Sequence, residues 1–162
     1  MEELLEKLKK YKSPKKNINI DLNYLFSYIY PDFILFKNDI IIRKENYTEK
    51  IKIDMEYIIK TFGSISGFED FVNHIHVIDI IDCSVRQSLK FGLVIKDILK
   101  NKLKTNFPEE NFIIVLTCDG KDKNNTIIRF HKYRKNELLY DQKYIDDFCT
   151  IKLSIGFLVE KI

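Results

Sequence analysis

Tryptophan and alanine are absent from this 162-residue chain, and glycine, proline and cysteine number only five, three and three. Each scarcity excludes something. The five glycines form neither a G-x-G-x-x-G nor a G-x-x-x-x-G-K-[ST] arrangement, so no dinucleotide or phosphate-binding loop is present. No serine stands in a G-x-S-x-G elbow. Cys83, Cys118 and Cys149 are odd in number and include no C-x-x-C pair, which argues against a disulfide framework or a zinc set and for a reducing, cytoplasmic home. No uncharged apolar run approaches the ~18 residues that span a bilayer. The opening MEELLEKLKKYKSPKK is charged throughout, unlike a signal peptide. The formal charge of +3 is too small to mark a nucleic-acid protein by itself.

What is present is an ordinary globular balance, 45% apolar and 31% charged, at a length typical of one domain. We therefore read residues 1–162 as a single domain, with 1–16 as a peripheral helix and linker. A chain of this size buries about two-thirds of its unfolded surface, enough for a core without staples. Abundant isoleucine, and lysine in large excess over arginine, match the codon usage of an AT-rich genome, as in some bacteria, phages and protists.

The periodicities give an α+β layout, with a mostly antiparallel sheet packed against a long central helix and several shorter helices. Leu4, Leu5 and Leu8 predict a short amphipathic helix over 2–12, ended by Ser13-Pro14. A second helix is expected over 21–30, stopping before Pro31. Residues 33–36 and 40–43 read as strands around a Lys37-Asn38-Asp39 turn, and alternation through Glu49, Ile51 and Ile53 suggests a third strand. Residues 55–62 read as a helix closed by Gly63. Ser66 and Glu69 have capping-box spacing, with Phe68, Phe71, Val72 and Ile75 continuing as an apolar helical stripe. Residues 76–81 fit either a continuing helix or a short strand.

The clearest helix runs over 84–105, with Val85, Leu89, Ile95, Leu99 and Leu103 on its stripe, widened by Phe91, Val94 and Ile98. Gly92 within it implies close approach to a sheet. Residues 112–118 and 126–134 read as a hairpin, with a turn between Asp119-Gly120 and Asn124-Asn125. A polar connection over 136–148 includes a helical turn near 143–148, and Cys149 to Val159 alternates as one last strand.

Three clusters are candidate sites. His74-x-His76 shares a face if the segment is a strand, as metal-binding pairs do, and points apart if it is helical. The hydrolase pattern with Asp two residues after the second His, and a further His next, fails here, where Ile78 and Asp79 stand. A structural role is preferred, and no metal or cofactor is assigned. Arg129, His131 and Tyr133 alternate onto one face of their strand and form the tentative binding row, suited to a phosphate or an acidic partner. Its bland alternative is the solvated face of an antiparallel sheet. The lysines at 7, 9, 10, 12, 15 and 16 offer a basic stretch, diluted by Glu2, Glu3 and Glu6. Cys83 near the start of the long helix, with His76 upstream, is the one thiol worth testing as a nucleophile.

From residue 88 to 159 the order is a long helix with Phe91-Gly92, Phe107-Pro108, Asn111-Phe112-Ile113-Ile114-Val115-Leu116, Arg129-Phe130-His131-Lys132-Tyr133-Arg134 and a final apolar strand. This part resembles small uncharacterised bacterial proteins built as helix, hairpin, polar connection and strand. The resemblance carries no activity from residue to residue. It implies a lone binding domain of the kind found among immunity proteins, which neutralise a cognate toxin by docking on it. The 13% aromatic content suits such an interface. The alternatives are a nucleic-acid-associated accessory protein, or a small enzyme whose His76, Cys83 or His131 converge only in three dimensions.

Overall fold

The computed structural model describes residues 22–46, 53–119, 126–140, 150–151 and 155–162. The expected helix over 2–12, the basic stretch at 7–16, Glu49 and Ile51 of the third strand, the turn at 120–125, the helical turn at 143–148 and Cys149 lie outside them.

Helix α1 (Leu22–Ile29) leads into an antiparallel hairpin of β1 (Phe33–Phe36) and β2 (Ile40–Arg43), joined by a short 3-10 turn in which Asp39 has φ of 63°. Helix α2 (Met55–Phe62) begins where the Asp54 carboxylate accepts from Glu56 N and Tyr57 N, at 2.9 and 3.2 Å. It ends at Gly63, whose φ of 76° is left-handed and lets its N–H reach Ile59 O. Helix α3 (Ile65–Val72) starts at once. Its cap is Ser64, whose Oγ accepts from Gly67 N, and not Ser66, because the extended backbone needed for a cap follows directly on the Gly63 turn.

The stretch after α3 departs from the expected stripe. The helix stops at Val72, because Asn73 leaves it to bond β2: its Oδ1 accepts from Arg43 N and its Nδ2 donates to Ile41 O. Residues 75–76 then form the short strand β3, and α4 (Val77–Ile80) is a single turn. The stretch the sequence left open over 76–81 is therefore divided, extended at His76 and helical over 77–80.

Helix α5 (Val85–Asn106) carries a capping box between Ser84 and Gln87 and runs 22 residues. It lies on a five-stranded antiparallel sheet of order β3-β5-β4-β7-β6, made with β4 (Phe112–Asp119), β5 (Thr126–Lys132), β6 (Thr150–Ile151) and β7 (Ile155–Lys161). The fold is α+β. Pairings Ile114↔Phe130 and Leu116↔Ile128 set the register so that Phe112, Ile114, Leu116, Ile128 and Phe130 face α5, where Leu89, Ile95, Leu99 and Leu103 meet them. Each such fully buried side chain contributes about 1.5–3 kcal/mol. Gly92 permits the contact: a Cβ there would stand 2.8 Å from Thr126 Cγ2 and 2.9 Å from Leu116 Cδ1. Val94, expected on the buried stripe, is instead exposed, being turned away from the sheet.

The final strand is also two pieces. β6 and β7 pair with each other, Ile151 opposite Ile155, so the alternating run folds back rather than continuing straight. β7 then pairs with β4 along its length. Among the described residues no helix is long and apolar enough to cross a membrane.

Candidate functional site

The face of the sheet away from α5 gathers the polar chemistry. Along β5, Arg129 and His131 alternate onto it, beside Ile113 and Val115 from β4. Helix α3 brings Asp70 over this face, and the segment after β5 brings Tyr140. The Asp70 carboxylate accepts from the Tyr140 hydroxyl at 3.1 and 3.2 Å, lies 3.3 Å from His131 Nδ1 and 3.9 Å from Arg129 Nε. The imidazole of His131 stacks on the Tyr140 ring at 6.0 Å. Burial, and then the Asp70 carboxylate, push the Tyr140 phenol well above its ordinary pKa, so it stays a neutral donor. Arg129 also reaches Thr117 Oγ1 at 3.5 Å.

This is not the solvated sheet face that formed the bland alternative. His131 is 2% exposed, because α3 and the chain around 133–140 cover it. Next to the network, His131, Tyr133, Leu139 and Tyr140 line a shallow hollow with room for about one water molecule. Of the row Arg129, His131 and Tyr133, the structure leaves Arg129 and Tyr133 half-buried and buries His131. Tyr133 holds the Lys161 ammonium over its ring, 3.6 Å from the centroid.

A second feature adjoins this face. Starting on α2, a row of rings runs Tyr57–Phe62–Phe71–His74–His76, with successive centroids 6.3, 5.1, 6.0 and 5.0 Å apart. Tyr57 and Phe71 are 59% and 58% exposed. The expectation that Phe71 belongs to a buried stripe is therefore corrected. α3 turns Ser66, Glu69 and Asn73 inward, one polar stripe at helical spacing, which rotates Phe71 toward solvent.

Glu69 is wholly buried and explains that rotation. Its two oxygens take a two-pronged bond from Arg134, at 2.7 and 3.0 Å, together with Ile41 N and Lys132 N. It thus ties β2 to the end of β5. The carboxylate expected to close a capping box is spent on joining the two sheets.

Other candidates fall into place around this frame. Burial, the neighbouring His74 and Arg129 hold the pKa of His76 below its ordinary value, while Asp79 pulls the other way. Cys83 and Cys118 are buried, and Cys83 directly precedes the Ser84 cap. Among the described residues no three His, Cys, Asp or Glu side chains form a metal-binding group. Sequence reasoning missed Asp70, Tyr140, Tyr57 and Phe71. The available signal was the Ser66/Glu69/Asn73 spacing, which marks a polar helix face that has to be either solvated or fully paired.

No curated protein and no solved structure matches this chain. One family model does, that of the Uncharacterized protein PM0498 family, over residues 1–156. The chain belongs to that family.

Proposed function

We propose that the protein acts in the cytoplasm by binding another protein, docking through the ring row of Tyr57 and Phe71 with Arg129, which faces Asp70 and His76, at its border. The observation behind this proposal is the row itself. Tyr57 and Phe71 are large, more than half exposed, and held in place by ring contacts with Phe62, so little conformational entropy remains to be lost on binding. Aromatic anchors of this kind, rimmed by arginine, dominate the energy of protein interfaces. In this reading His131 is a positioning residue: with Asp70 and Tyr140 it sets the rim from below.

In its narrower form the partner is a cognate toxin, neutralised by occupation of its working surface. The resemblance of residues 88–159 to small bacterial proteins supports that form. A charge of +3 favours a target without a strongly basic active site.

Affinity capture with the tagged protein, followed by reconstitution from purified components, tests the proposal. The expected result is a one-to-one complex weakened about thirtyfold or more by the double substitution Tyr57→Ala/Phe71→Ala, the loss typical of hot-spot anchors. Arg129→Glu is expected to slow association rather than speed dissociation. Recovery of nucleic acid or a small molecule without a protein partner overturns it, as does a complex indifferent to the ring substitutions.

A further inference from the structure

Extended backbone at residues 75–76 settles which arrangement His74 and His76 adopt. They flank Ile75 at the start of β3, the outermost strand of the five-stranded sheet, and their ring planes are nearly perpendicular, at 87°, with centroids 5.0 Å apart. Both are partly exposed. The Phe71 carbonyl engages His74 Nδ1. A carbonyl only accepts, so Nδ1 carries a proton, and in the neutral ring this tautomer puts the free lone pair on Nε2. Metal-ligating histidines are commonly fixed in this way, with one ring nitrogen donating to a backbone carbonyl and the other left to bind.

The spacing agrees with the same chemistry. Two imidazoles bound to one tetrahedral ion, with metal–nitrogen distances of about 2.0–2.1 Å, have ring centroids about 5 Å apart. We propose that His74 and His76 form a two-histidine site for a divalent transition-metal ion such as Zn2+ or Ni2+. Imidazole nitrogens suit these ions. No further His, Cys, Asp or Glu among the described residues completes a set of three, so water fills the other positions and the affinity is micromolar rather than structural-zinc tight. The fields at the site are mixed: Asp79 favours a cation beside His76 and Arg129 opposes it. The site requires no protein partner and stands whether or not the ring row docks one.

Isothermal titration of the EDTA-treated full chain with zinc or nickel chloride, near neutral pH in a non-coordinating buffer, tests this. One saturable site per chain is expected, weakened about tenfold or more in His74→Gln and in His76→Gln. Thermal melts of the metal-free variants check that they remain folded. Imidazole NMR of the unsubstituted protein gives an independent reading: the His74 and His76 signals should shift together on adding Zn2+, while those of His131 stay put. Absence of a saturable site with either metal overturns the proposal. So does a site that survives both substitutions, or a shift confined to His131.

Discussion

Phe130 and His131 are neighbours in β5, 0% and 2% exposed, yet they are buried by opposite means. Phe130 points at α5 and is covered by apolar side chains, its ring edge-on to Phe33 at 5.7 Å. His131 points the other way and is covered by a carboxylate, a phenol and a helix whose inner stripe is polar. On the first face burial follows from the hydrophobic effect, which is non-directional and forgiving of which residue supplies the area. On the second, each polar group must find a particular partner, because an unpaired one costs about 1–3 kcal/mol.

The largest effect expected from breaking this contrast is on the helix side. Phe130→Ala removes a fully buried ring from between α5 and β1 and leaves a cavity, at a cost of about 3–5 kcal/mol. Urea denaturation should show the midpoint falling with an unchanged slope. A loss below about 1 kcal/mol would mean that the α5 face is loosely packed and that the contrast between the faces is wrong.

That same contrast accounts for what was legible in the sequence. Helix α5 and the β4–β5 hairpin were readable because their apolar residues recur at 3.6 and 2 residues, and Gly92 marked the close approach between them. Arg129 and His131 lie on one face of β5 as alternation expects, and Tyr133, just past the strand, packs against Ile113 and Val115 of that face. What covers them was not readable. Asp70 and His131 are 61 positions apart, Asp70 and Tyr140 are 70 apart, and Glu69 and Arg134 are 65 apart. No local period records such pairings. The polar stripe Ser66, Glu69, Asn73 even misdirects, because a rule that turns apolar residues inward buries Phe71 and exposes Glu69, the reverse of what is found. The alternating run at 149–159 likewise gave no sign of the fold-back that pairs β6 with β7. The ring row became visible only once α3 was oriented.

A smaller effect sharpens the comparison from the polar side. Tyr140→Phe keeps the ring stacked on His131 but removes the hydroxyl that donates to Asp70. The carboxylate keeps Arg129 and His131, so the cost should be about 1–2 kcal/mol. Because the phenol is held neutral by burial and by Asp70, an alkaline spectrophotometric titration of the unsubstituted protein should leave one tyrosine un-ionised well above the ordinary range, and Tyr140→Phe should abolish that late component. Its persistence would assign the protected phenol elsewhere and loosen the network drawn around Asp70.

The smallest effect concerns the place where polarity intrudes on the helix face. Glu160 in β7 stands opposite Ile114, where it bonds the ammonium groups of Lys96 and Lys100 from α5, and Lys96 also lies 2.7 Å from Asp97. Burial alone would raise the pKa of Glu160, but the hydrogen bonds from Lys100 and Lys96 outweigh it and hold the value below the ordinary 4.5. A carboxylate depressed in the folded state stabilises the protein above its unfolded pKa, and that contribution is lost as pH falls through the folded value. Lys96 responds from the other side. Burial would lower its pKa, yet Asp97 and Glu160 raise it, so its share persists below 10.5 and is lost only at higher pH. Between about pH 5 and pH 3, stability should therefore fall more steeply in the unsubstituted protein than in Glu160→Gln, by less than about 1 kcal/mol for a pair at the edge of the sheet. Identical slopes would show that Glu160 is already solvated in practice, so that the α5 face is apolar only up to β4 and its border with β7 is open to water.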